Sequence, residues 1–131
     1  MRKLTLLLLL MISTNVSAEW TRVTSVNNGE ITFYVDYDTI KKKGHKVQMW
    51  KLLDYKTVQV GSDVVRYLSM FSRDEDDCEE KTTRTLDLYS YSGNMKSGDI
   101  VSSYSNIKME AESIIPVSID EVFFKIACGK K

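Results

Sequence analysis

The chain has 131 residues, of which 18 are basic and 18 acidic, 43% are hydrophobic, one is proline, one histidine and two cysteine. That length leaves room for one ordinary domain, and the apolar share suits a folded globular protein rather than a disordered tail or a fibre. A net charge of zero excludes a nucleic-acid binder held by its overall field.

Arg2 and Lys3 precede an apolar run from Leu4 to Ile12, and Val16-Ser17-Ala18 closes the stretch with small residues. This order is that of an export signal cleaved before Glu19. The apolar run is about nine residues, short of the roughly 20 needed for a permanent membrane helix. No cysteine follows the cleavage point, so no lipid anchor is expected there, and no later segment is apolar enough to span a bilayer. Residues 1–18 are thus read as a cleaved signal peptide and 19–131 as a single domain, exported to the periplasm or to the outer surface. The mature chain keeps 113 residues, 16 basic and 18 acidic, for a charge of −2.

Asn28-Gly29 separates the alternating segments TRVTSV and EITFYV, and this dipeptide tolerates the positive φ angles of a tight hairpin. In the second arm Ile31, Phe33 and Val35 share one face, with Thr32, Tyr34 and Asp36 on the other. Lys41-Lys42-Lys43-Gly44 reads as a charged turn into a third strand, HKVQMWKLLDY, where Val47 and Met49 alternate with Gln48 and Trp50. DVVRYLSMFS, apolar on both parities, is a more buried strand, and KTTRTLDLYSYS is another. The turn-rich SGNMKSGD then leads to a last strand in DIVSSYSNIKM. No helix lies between these segments to serve as a parallel crossover, so the sheet is expected to be antiparallel.

The period changes at the end. Ser118 caps IDEVFFKIAC, Glu121 stands where a capping box needs it, and Gly129 suits the stop. Ile119, Val122, Phe123 and Ile126 form the stripe that should face the sheet. The fold class is therefore α+β: an antiparallel sheet of about five to six strands with one C-terminal helix packed on it. Cys78 and Cys128 both lie in the mature part of an exported chain, so a disulfide between them is expected to tie that helix down. A metal pair or a catalytic thiol is the alternative, but one histidine and no Cys-x-x-Cys spacing argue against both.

Six carboxylates crowd into Asp74-Glu75-Asp76-Asp77-Cys78-Glu79-Glu80. A calcium loop needs a central glycine and a terminal glutamate that are absent here, and consecutive acids in extended chain point to opposite sides. The stretch reads as a solvated acidic loop, with Asp74, Glu75 and Asp76 as possible partner contacts. Lys41, Lys42, Lys43 and Lys46 form a basic turn able to touch a polyanion or an acidic protein face, or simply to keep a hairpin soluble. Trp20, Trp50 and the seven tyrosines are residues that anchor binding surfaces as well as fill sheets. Tyr89 and Tyr91 share a face with Asp87, which points to partial exposure. His45 is the only imidazole, and it reads as an exposed strand-start residue. With no nucleophile elbow, phosphate loop or dinucleotide fingerprint, neither an enzyme activity nor a cofactor is expected.

Taken together, Trp20, FYVDYDTIKKKGHKVQMWKLLDY, YLSMFSRDEDDC, Arg84 with YSYSGNMKSGD, and IIPVSIDEVFFKIAC resemble the surface-adhesin protein E-like domain of Gram-negative bacteria over nearly the whole mature chain. The resemblance implies an antiparallel sheet with one C-terminal helix, no catalytic residues and no cofactor. It also implies a protein partner, either a host extracellular-matrix or plasma protein or an envelope component of the cell itself, and a homodimer in some members. Met109-Glu110-Ala111 stands where the family pattern has a tryptophan before Pro-x-Ser.

Overall fold

The structure is a computed structural model that describes residues 19–62 and 64–129. The signal-peptide reading falls on residues 1–18, outside the described part. Among the described residues eight strands form one antiparallel sheet: β1 (Thr21–Val26), β2 (Ile31–Val35), β3 (Lys41–Lys43), β4 (Lys46–Val60), β5 (Arg66–Asp77), β6 (Thr82–Tyr91), β7 (Ile100–Tyr104) and β8 (Glu112–Ser113). An α-helix, α1 (Ile119–Cys128), follows them. The order across the sheet is β1-β2-β4-β5-β6-β7, with β3 also beside β4 and β8 also beside β6. Long central strands β4, β5 and β6 are thus flanked on each side by two short strands in tandem.

The first hairpin turns through Asn27, Asn28 and Gly29, all at positive φ (52°, 56° and 85°). The basic stretch differs from its expectation. Lys41–Lys43 is itself a strand paired with Lys46–Gln48, and the turn is displaced to Gly44-His45. Gly44 has φ +63°, a conformation that a lysine adopts only with strain. Between β2 and β3 the chain makes a short 3-10 turn, Tyr37–Thr39, held by Asp36, whose Oδ1 accepts from Asp38 N at 3.0 Å. This break would strand the Trp50 amide of β4, but that N–H donates to Thr39 Oγ1 at 3.2 Å. Both β4 and β5 run further than their apolar patterns suggested: β5 continues to Asp77 with β4 and β6 on its two sides, and β4 continues to Val60 against β5 alone.

One face of the sheet carries the core: Phe33, Val35, Val47 and Met49 are buried against Phe123 and Ala127 of α1. Ser118 Oγ accepts from Glu121 N at 3.2 Å, and Glu121 Oε1 returns to Val117 N at 3.5 Å, so the cap forms with its reciprocal bond one residue earlier than a standard box. Phe123 and Ala127, four residues apart, are the buried positions of α1, with Ile119 and Ile126 partly buried beside them. Val122, about 100° around the helix from Phe123, is instead exposed. Cys78 and Cys128 are disulfide-bonded with Cα atoms 5.6 Å apart, joining the last turn of α1 to the end of β5. Among the described residues, no helix is long and apolar enough to cross a membrane.

Candidate functional site

The alternation of β4 turns Lys46, Gln48, Trp50, Leu52 and Asp54 away from α1. The register places Trp50 opposite Arg73, Leu52 opposite Phe71, and Phe71 in turn opposite Tyr89 of β6. Ring contacts follow from that geometry. Trp50 stacks on Phe71 with centroids 4.1 Å apart and planes 12° from parallel, and Trp20 meets Phe71 edge-on at 5.6 Å. Tyr89 lies 6.2 Å from Phe71 and 6.3 Å from Trp50. The ammonium of Lys96 sits 3.7 Å over the Phe71 ring, where burial lowers its pKa. These rings are half-buried, so the sheet face opposite the helix presents an aromatic row under partial cover.

The acids on this face are answered by neighbours. Glu75 Oε1 accepts from Arg84 Nε at 3.0 Å and Nη2 at 2.8 Å, while its Oε2 accepts from Gln48 Nε2 at 3.1 Å. Burial opposes ionisation of Glu75, but those hydrogen bonds and the charges of Arg84 and Lys46 outweigh it and hold the carboxyl below the usual range. Arg73 pairs with Asp87 at 2.6 Å, and Asp87 Oδ1 also accepts from Asn106 N at 3.1 Å. Lys41, Lys43 and Lys46 border a hollow with Gln48 and Glu75 and form no ion pair among the described residues. Of the expected contact residues, these three lysines and Glu75 are therefore brought together. Lys42, on the intervening parity of β3, is exposed but faces away from them.

Asp74 and Asp76 are a correction. The acidic stretch is not a solvated loop up to Asp77: it is the end of β5, and its alternation turns Asp74 and Asp76 under α1, where they are 7% and 5% exposed. Neither is a surface contact. Lys51, itself 8% exposed, pairs with Asp74 and lies 4.6 Å over the Phe123 ring. Burial pushes the Asp76 carboxyl up to about 6, with help from Asp74 and Asp120, against the Thr83 hydrogen bond and Lys51. Asp77 closes the turn instead. Its Oδ1 accepts from Glu80 N at 3.0 Å and Glu79 N at 3.1 Å, and the Glu80 amide leads the effects that keep its pKa low.

His45 is exposed, with Nε2 3.3 Å from Asp77 Oδ2 and Nδ1 3.6 Å from Glu79 Oε2. No thiol accompanies it, since both cysteines are bonded to each other. The expectation of a partly exposed Tyr89 and Tyr91 agrees with their half-buried state, but Asp87 beside them is buried by its pairing with Arg73. The stacked row itself was not foreseen. Its only signal was the occurrence of Trp50, Phe71 and Tyr89 in separate strands, and their adjacency depends on strand register.

Residues 20–129 match the family described as Surface-adhesin protein E. Nothing among curated proteins matches. Among solved structures, protein E from non-typeable Haemophilus influenzae is similar with a TM-score of 0.62 at 15% identity, over 88% of this chain and 79% of that one. Crystal form II of Haemophilus influenzae protein E gives a TM-score of 0.65 at 16% identity, over 88% and 91%. At such identity these structures speak for the fold alone, and they have the antiparallel sheet and C-terminal helix in common with it.

Proposed function

Because the chain belongs to the Surface-adhesin protein E family, we propose that its mature domain, residues 19–131, is an exported binding module without catalytic activity. Its partner is a host extracellular-matrix or plasma protein that presents an acidic stretch to the helix-free face of the sheet. One observation carries this reading. On that face Glu75 and Asp87 are already paired within the domain, whereas Lys41, Lys43 and Lys46 form no ion pair among the described residues, and Lys41 lines a hollow with Trp50 at the end of the aromatic row. Cations so placed steer an acidic partner and set its orientation, while half-buried rings supply contact area at low entropy cost. The location that fits this use is the outer surface of the cell.

The test is binding of the mature, oxidised chain to a panel of immobilised matrix and plasma proteins. Binding to at least one is expected, weakening as salt is raised. A Lys41→Glu/Lys43→Glu/Lys46→Glu variant should lose about tenfold or more in affinity, which is about 1.4 kcal/mol. A panel without a binder, or a triple variant that binds as well as wild type, would overturn the reading. A second copy pairing through the same face would compete with the partner, so light scattering sizes the free and bound species. Protease added to intact cells tests location: cleavage only after the outer membrane is opened would place the domain in the periplasm and favour an envelope component as partner.

A further inference from the structure

On the helix side of the sheet, beyond the packed core, lies a cavity of about 380 Å3, a volume in the range of small-molecule sites. Its walls are apolar: Leu53, Met70 and Leu88 project from the sheet, Ile107 and Met109 from the segment after β7, and Ile119 from the first turn of α1. Its charged lining is one-sided in availability. The two cations, Lys51 and Arg84, are engaged by Asp74 and Glu75. Glu110, Glu112 and Asp120 at the exposed rim form no ion pair among the described residues. Asp74, also in the lining, has a side chain only 10% exposed, and its Oδ1 has no hydrogen-bond partner. A buried carboxylate oxygen without a donor is costly.

We propose that this cavity binds a small cationic amphiphile, an aliphatic group ending in a primary ammonium. The apolar walls take the aliphatic part, by the same area-proportional gain that forms the core. The ammonium brings donors and positive charge to a site short of both, where Asp74 lacks a donor and the three rim carboxylates lack counter-ions. A carboxylate head on the same tail would meet Glu110, Glu112 and Asp120 with no cation left to receive it. A neutral hydroxyl head would gain the tail's contribution without the charge. The site is on the opposite face from the proposed partner surface, so it is occupied independently of any protein bound there.

The experiment uses the mature, oxidised chain labelled with nitrogen-15, titrated with octylammonium chloride, sodium octanoate and 1-octanol below their aggregation concentrations. Octylammonium is expected to shift amides around Leu53, Leu88, Ile107 and Ile119, and to bind at least about tenfold more tightly than octanoate. Leu88→Trp, which fills the cavity, should abolish the shifts. A Glu110→Gln/Glu112→Gln/Asp120→Asn variant changes only exposed side chains, and it should reduce the preference for ammonium several-fold while keeping the affinity for octanol. Should Leu88→Trp fail to fold, the rim variant still decides. No shifts with any of the three probes at millimolar concentration, equal binding of octanoate and octylammonium, or shifts centred on Trp50 would each overturn the proposal.

Discussion

Trp50 and Phe71, on neighbouring strands of the helix-free face, are stacked nearly parallel with centroids 4.1 Å apart. Such a contact contributes about 0.5–1.5 kcal/mol beyond the area it buries. A double-mutant cycle of Trp50→Ala and Phe71→Ala, read by chemical denaturation, is expected to give a coupling energy in that range. Each single variant should also lose about 1–3 kcal/mol, less than a fully buried ring would, because both rings remain half-exposed. A coupling of zero would mean that the two rings do not meet in solution.

Asp76 imposes a pH dependence of definite sign. Its carboxyl is raised from 3.8 to about 6, so between these pH values the folded protein holds a proton that the unfolded chain releases. Its contribution to stability is greatest below the unfolded value and is lost as pH rises through the folded one. At pH 7 the ionised group is therefore a penalty. Asp76→Asn is expected to stabilise the domain by about 1–3 kcal/mol at pH 7, and the difference from wild type should vanish near pH 4. Glu75 and Asp77, whose pKa values are lowered, lose stability in the other direction as acid is added. The comparison between variant and wild type isolates Asp76 from them, and an Asn variant less stable at pH 7 would contradict this account.

The bond between Cys78 and Cys128 closes a separation of 50 residues. In the chain-entropy view that constraint is worth on the order of 4 kcal/mol. Mass measurement of the unreduced mature chain should find it two hydrogens lighter than the reduced form. Cys78→Ser/Cys128→Ser should lower the unfolding midpoint steeply and reduce helical circular dichroism, since α1 is short enough to be marginal when not held on the sheet.

Ser69 is fully buried and serves two backbone groups of the 92–99 loop: its Oγ donates to Gly93 O at 2.7 Å and accepts from Lys96 N at 3.0 Å. Across the same loop Asp54 Oδ1 accepts from Asn94 Nδ2 at 3.0 Å and from Met95 N at 2.9 Å. These bonds hold Met95 and Lys96 at positive φ of 53° and 62°, and so place the Lys96 ammonium on Phe71. Ser69→Ala is expected to cost about 1–3 kcal/mol, because it leaves the two loop groups unpaired. Amide exchange of residues 94–97 should accelerate in the variant while that of β4 away from the loop stays slow.

Much of the architecture was legible because its signals are local. The Asn-Gly hairpin, the alternation in β2 and β4, and the capped amphipathic α1 each depend on residues close together in the chain. The acidic stretch misled because its polarity concealed its pairing: Asp74 and Asp76 are extended and buried since Met49 and Val47 of β4 lie beside them and Lys51 supplies the counter-charge. Val122 and Gly129 illustrate a finer limit. Period alone places Val122 at the edge of the apolar stripe, and the docking of α1 decides that Ala127 is buried instead. Gly129 ends the helix as expected, but in right-handed conformation at φ −80°, with its N–H bonded to Lys125 O at 2.8 Å. The aromatic row and the cavity were illegible for a shared reason: each is assembled from residues of at least three elements, and only the register between them creates it.

The disulfide joins the C-terminal end of α1 to the central strand of the sheet, and this has a mechanical consequence. A pull on the chain end beyond Cys128 is passed to Cys78 without first peeling the helix away turn by turn. From there it acts along β5, which is hydrogen-bonded to β4 on one side and β6 on the other. Tension entering there thus reaches a strand bonded along both edges, and the ladders to β4 and β6 share it rather than a single edge strand peeling alone.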